Sequence, residues 1–184
     1  MKPNKIIIIH GFESNSHEHW FMAAKEKFEN PPAGGGFKVF VPDMPGAFFP
    51  KKDDWVKVIT EFNPDKNTVL IGHSLGGVAI LRYLEIASRK VAQAILIATP
   101  FEAMKFGAIE NFFDGGFEWE KIKNNAADII VLNEDNDPAV PLEHGQQLAQ
   151  KLNAQLIVQP GYVHFDKINL ELLEKLIFHS RQSG

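Results

Sequence analysis

The stretch Gly72-His73-Ser74-Leu75-Gly76 sets a serine between glycines, after the apolar run Thr68 to Ile71 and before a segment rich in alanine and leucine. A G-x-S-x-G sequence between strand and helix forces so sharp a turn that the serine adopts a strained backbone and its hydroxyl stands clear of the sheet. Such a hydroxyl can attack an acyl carbon, but only once a base takes its proton. Ser74 therefore requires a histidine, and the histidine a carboxylate that orients its ring.

Seven histidines compete for the role of base. His73 adjoins the serine, yet its side chain leaves the turn in the wrong direction. His10 ends the first apolar run, His17 and His19 follow it, and His144 and His179 fall in helical patterns. His164 differs: Gly161-Tyr162-Val163-His164-Phe165 follows the last apolar run, Leu156 to Val158, and precedes the final helical stripe. The acid is expected between serine and histidine in chain order. There the turn Asn133-Glu134-Asp135-Asn136-Asp137-Pro138-Ala139-Val140-Pro141 carries three carboxylates. Asp137 is preferred because Pro138 holds it in an extended conformation, while Pro141 suits the first turn of the helix beyond. Asp135 and Glu134 are the alternatives. The charge that develops on an attacked carbonyl needs backbone N–H donors. These are expected from Leu75, directly after the serine, and from Phe12, in a turn that His10 and Gly11 shape.

These residues meet only if strands deliver them to one edge. Six short runs, Ile6 to Ile9, Phe37 to Val41, Thr68 to Ile71, Ala94 to Ile97, Ile129 to Leu132 and Leu156 to Val158, are continuously apolar, the pattern of strands covered on both faces. Helical patterns separate them: Trp20 to Phe28 after a cap region at Ser16, Asp54 to Phe62 after Asp53, Leu75 to Ala87, and stripes at Gly145, Leu148, Ala149, Leu152 and at Leu172, Leu173, Leu176, Ile177. Alternation of this kind predicts an α/β three-layer sandwich, a mostly parallel six-stranded sheet with helices on both faces and loops gathered at its carboxyl edge.

The segment 100–127 breaks the rhythm with Phe101, Phe106, Phe112, Phe113, Phe117 and Trp119, and reads either as a small lid or as a crossover whose aromatics pack on the sheet. A second aromatic loop, Pro45-Gly46-Ala47-Phe48-Phe49-Pro50, is placed to border a pocket. Pro31 to Gly36 is a flexible loop too short to divide the chain, so residues 1–184 are expected to form one domain.

Composition removes whole classes of function. With no cysteine, thiol nucleophiles, thiolate metal sites and disulfides are excluded, which is compatible with a reducing compartment. A net charge of −4 with scattered lysines argues against nucleic acid as a partner. The first apolar run is too short to span a membrane, and a cytoplasmic location is expected. His17-Glu18-His19 lacks the i, i+4 spacing of zinc helices, and no metal or organic cofactor is called for.

The elbow at Ser74, the Asp137-Pro138 turn and His164-Phe165, in that order, resemble the α/β-hydrolase superfamily. Phe117 to Lys123, the acidic turn and Gly161 to Phe165 further resemble its compact serine hydrolases of the retinoblastoma-binding and YdeN type. The resemblance implies a minimal fold without a large cap domain, a Ser74, Asp137 and His164 triad, and hydrolysis of a small-molecule acyl substrate. The retinoblastoma-binding motif of that family contains cysteine, so no protein partner is implied here. A carboxylesterase acting on small or medium acyl esters is the leading expectation. An amidase, peptidase or thioesterase would use the same triad, and a non-catalytic binding module could keep the fold.

Overall fold

Apolar runs without polar alternation suit strands covered on both faces, and all six form strands in the computed structural model, the two outermost only partly buried; it describes residues 3–31, 34–105, 107–161 and 164–179. The strands are β1 (Lys5–Ile9), β2 (Lys38–Phe40), β3 (Thr68–His73), β4 (Gln93–Ile97), β5 (Ile129–Glu134) and β6 (Gln155–Gln159). They pair in parallel in the order β2-β1-β3-β4-β5-β6. The helices are α1 (Phe21–Glu29), α2 (Lys52–Glu61), α3 (Leu75–Ile86), α4 (Trp119–Asn125), α5 (Leu142–Leu152) and α6 (Leu170–His179).

Because side chains alternate across a strand, each run feeds two cores. Ile6, Ile8, Val69, Ile71, Ile95 and Ile97 pack with Phe21 and Phe28 of α1 and Leu173 and Ile177 of α6. Ile7, Ile9, Leu70, Leu96 and Val131 pack with Trp55, Val78, Ile122 and Leu148 from the four helices on the opposite face. From β1 the chain steps outward to β2, then returns past β1 to β3. The loops after β1 and β3 thus part in opposite directions, and the crevice between their carboxyl ends is where open α/β sheets bind ligands.

Three helix starts differ from expectation. Ser16 does not cap α1; its amide donates to Asp43 Oδ1 at 2.7 Å, and Trp20 occupies the N-cap. Asp53 does not cap α2, which begins one residue earlier at Lys52, whose amide is accepted by Asn111 Oδ1 at 2.7 Å. Asp53 and Asp54 instead lie in the first turn, where the helix dipole favours acidic groups. Pro141 sits at the N-cap of α5 rather than inside its first turn.

The described aromatic side chains of segment 100–127 pack against neighbouring elements, and other residues of the segment reach the carboxyl edge. Phe112 is buried edge-on against Trp55, Phe101 stacks on Trp119 at 5.6 Å, and Phe117 lies 4.0 Å from the Arg82 guanidinium. Buried Arg82 donates to the carbonyls of Phe112, Asp114 and Gly116, fastening this turn to α3. Pro100, Met104 and Ile109, by contrast, line a cavity at the carboxyl edge. Phe106 lies outside the described residues. Phe48 and Phe49 are exposed and are not among the residues lining that cavity. Among the described residues no helix is long and apolar enough to cross a membrane.

Candidate active site

Strand β3 passes into α3 through a single residue, Ser74, at φ 54° and ψ −124°. That is a strained conformation for a side chain with a Cβ. The closeness of the turn explains its glycines. A Cβ on Gly72 would stand 2.5 Å from the Gly77 Cα, and one on Gly76 would overlap the Ile9 carbonyl oxygen at the end of β1. The turn is tied by Ser74 N–H donating to Ile97 O at 2.8 Å and Gly77 N–H to Ser74 O at 3.0 Å.

In the turn after β5, two strands along the sheet from β3, Asp137 is buried and bonded on both oxygens. Oδ1 accepts the amides of Ala139 at 2.8 Å and Val140 at 2.9 Å, and Oδ2 accepts His164 Nδ1 at 2.8 Å. Burial pushes its carboxyl upward, but the His164 bond and the two amides outweigh it and hold the group below the usual carboxylate range. With Nδ1–H committed to Asp137, the neutral His164 ring leaves Nε2 free of a proton and able to accept one. Asp135 is exposed, and among the described residues only its backbone amide is engaged, on Gln159 O at 3.2 Å. Ser74 and His164 line the same cavity of about 110 Å³, with Phe12, Leu75, Pro100 and Ile109 among its other walls. No hydrogen bond joins Ser74 Oγ to His164 among the described residues, and such contacts commonly tighten only when substrate is bound.

The turn that carries His164 is held from beneath by two residues whose part the sequence does not disclose. His164 and Phe165 both have positive φ, 55° and 49°. His73 Nε2–H donates to the His164 carbonyl at 2.9 Å, and its ring lies 4.8 Å from the His164 ring. Burial, aided by the neighbouring His164, pushes His73 down to about 3, so it is neutral. Glu134, fully buried at the end of β5, accepts the Phe165 amide on Oε1 at 3.3 Å, and its Oε2 has no partner among the described residues. The only available signal was position: a polar residue ending a continuously apolar strand stays inside the layer. Tyr162 and Val163 lie outside the described residues.

Burial raises the Glu134 carboxyl to about 7, with Asp137 adding repulsion and the Phe165 and His164 amides opposing it. A carboxyl raised on folding binds more protons folded than unfolded, so its contribution weakens as pH rises from its unfolded value toward 7. Glu134→Gln removes this titration and leaves the others in place. The difference in Tm between variant and parent is therefore expected to move in the variant's favour by several degrees between pH 5 and pH 8. A pH-independent difference in calorimetry would contradict the assignment.

On the other side of Ser74, the turn after β1 is fixed by His10, which is buried. Its Nε2 accepts the Met44 amide at 2.8 Å, so its Nδ1–H donates to Gly11 O at 2.8 Å. Burial keeps this ring below the usual histidine range. Gly11 packs directly on the serine, since a Cβ there would stand 3.0 Å from the Ser74 Cβ. Leu75, the first residue of α3, has an amide with no intrahelical acceptor. Among the described residues no three histidine or carboxylate side chains are grouped to hold a metal ion.

A parallel sheet that presents a strained serine at its carboxyl edge is the α/β-hydrolase fold. A model of the serine hydrolase family matches residues 6–169, and the chain belongs to that family. YdeN of Bacillus subtilis (strain 168) is 31% identical over 163 residues, covering 85% of this chain and 84% of the relative. The serine hydrolase RBBP9 of Rattus norvegicus is 27% identical over 180 residues, covering 95% and 94%. Among solved structures, YdeN from B. subtilis superposes with a TM-score of 0.88 at 25% identity over all of both chains. Est1E from Butyrivibrio proteoclasticus superposes at 0.71 with 18% identity, over 97% of this chain and 86% of its own. The chain is an enzyme, a serine hydrolase.

Proposed function

We propose that the protein is a carboxylesterase for short acyl esters, working through Ser74, His164 and Asp137. The observation that supports this most is the 2.8 Å bond from His164 to buried Asp137, on the wall of the cavity that also holds the strained serine. His164 Nε2 takes the Ser74 proton as Oγ bonds to the ester carbon. The carbonyl electrons move onto oxygen, where the amides of Leu75 and Phe12 receive the charge. Asp137 stabilises the imidazolium without taking its proton. As the carbonyl re-forms, the alcohol oxygen leaves with the proton from His164, and water repeats the sequence to release the acid.

The acyl chain occupies what remains of the cavity, beside Pro100, Ile109 and Val140. Its volume of about 110 Å³ is smaller than the roughly 150 Å³ that holds a benzene ring in a protein core. Acyl groups of about two to four carbons fit. A fluorophosphonate is expected to form one adduct per chain, on the peptide that carries Ser74, and absence of the adduct would sink the reading. In a p-nitrophenyl ester series, kcat/KM is expected to fall at least tenfold from butyrate to octanoate.

A further inference from the structure

A second and larger cavity, of about 610 Å³, adjoins the catalytic one and shares Met104 and Ala139 with it. The catalytic cavity is walled mainly by apolar side chains. The second offers Glu102, Lys105 and His144. It opens beside Pro138 and shares two walls with the cavity that holds Ser74, so the part of an ester that a space of about 110 Å³ does not hold can pass into it.

His144 presents a defined donor there. Its Nδ1 accepts the Phe101 amide at 2.9 Å, which leaves the proton of the neutral ring on Nε2. Burial holds this ring below the usual histidine range, against the pull of Glu102 and Glu143, so the neutral form prevails at pH 7. Nε2 has no partner among the described residues and is not among the buried unpartnered atoms. Glu102 and Lys105 are exposed, and neither forms an ion pair among the described residues. One anion, one cation and one neutral donor add no net charge to the cavity. They suit a ligand that both gives and accepts hydrogen bonds and carries no charge of its own.

We propose that this cavity is the leaving-group subsite, and that it selects esters of neutral, hydroxyl-bearing alcohols. The inference rests on the ester-hydrolase reading above. A hydroxyl of the alcohol accepts from His144 Nε2–H or Lys105 Nζ and donates to Glu102, while Met104 and Ala139 stand between this part and the short acyl chain.

The test holds the acyl group constant and varies the alcohol. Monoacetylglycerol and pentyl acetate carry alcohols with the same number of heavy atoms, one hydroxylated and one not, and in ethyl acetate the alcohol is too short to leave the catalytic cavity. The kcat/KM ratio of monoacetylglycerol to pentyl acetate is expected to be about tenfold or more, the effect of one or two net hydrogen bonds. It should drop at least fivefold in Lys105→Met and in His144→Phe. Lys105 is exposed and its replacement does not touch the core, so that variant carries the test alone if His144→Phe, which forfeits the Phe101 bond, does not fold. A ratio at or below one in the parent protein, or a ratio that Lys105→Met leaves unchanged, overturns the subsite. Failure to hydrolyse ethyl acetate overturns the ester reading itself, and the subsite with it.

Discussion

Ser74→Ala is expected to lower kcat by about 10⁶, the scale on which removal of a nucleophile that works as one unit with its base is felt. The loss has one physical origin, since without Oγ no acyl-enzyme can form. The amides of Leu75 and Phe12 and the cavity walls stay in place, so a residual rate above that in water should survive. The fold should hardly respond. Ser74 Oγ makes no hydrogen bond among the described residues, so no buried partner is orphaned. Alanine keeps the Cβ that already sits at φ 54°, so the strain of the elbow neither grows nor is relieved. A Tm within a few degrees of the parent's, with hydrolysis of p-nitrophenyl acetate near background and the fluorophosphonate adduct gone, is the expected set. Turnover within tenfold of the parent's would place the nucleophile elsewhere.

How far such a site can be read from sequence depends on how local its causes are. The elbow is legible because its demands are steric and fall within five residues: Gly72 and Gly76 lie where backbone from α3 and β1 leaves no room for a Cβ. The strands are legible because continuous apolar runs have few other uses, although β2, at the sheet edge, shrinks to Lys38–Phe40. The start of α2 is not legible, because the acceptor for its first amide comes from Asn111, 59 residues away. Nor are the supports of the His164 turn. Nothing near His73 or Glu134 in the chain announces that each will meet a backbone group of the His164–Phe165 turn, because that meeting requires the sheet to be assembled first. Local rules reach the elbow and the residues proposed to react, and miss those that hold their turns in place.

Asp137→Asn is expected to lower kcat by about 10⁴. An asparagine can still accept the Ala139 and Val140 amides on Oδ1, so the turn keeps its shape. Toward His164, however, it presents an NH₂ group where Oδ2 accepted Nδ1–H. The ring then carries its proton on Nε2, and Nε2–H cannot receive the Ser74 proton. The stability effect has a pH signature of its own. The Asp137 carboxyl is held below its ordinary value in the fold, so its contribution is present above the unfolded value and is lost as pH falls through the folded one. The Tm deficit of Asp137→Asn should accordingly be present at pH 7 and shrink progressively as pH falls below about 4. Asp135→Asn is the contrast, because that side chain is exposed and among the described residues only its backbone is bonded. It is expected to change kcat by less than about twofold, in line with surface substitutions that disturb no network. If Asp135→Asn proved the more damaging of the two, the bond at His164 Nδ1 would not be the one that orients the base.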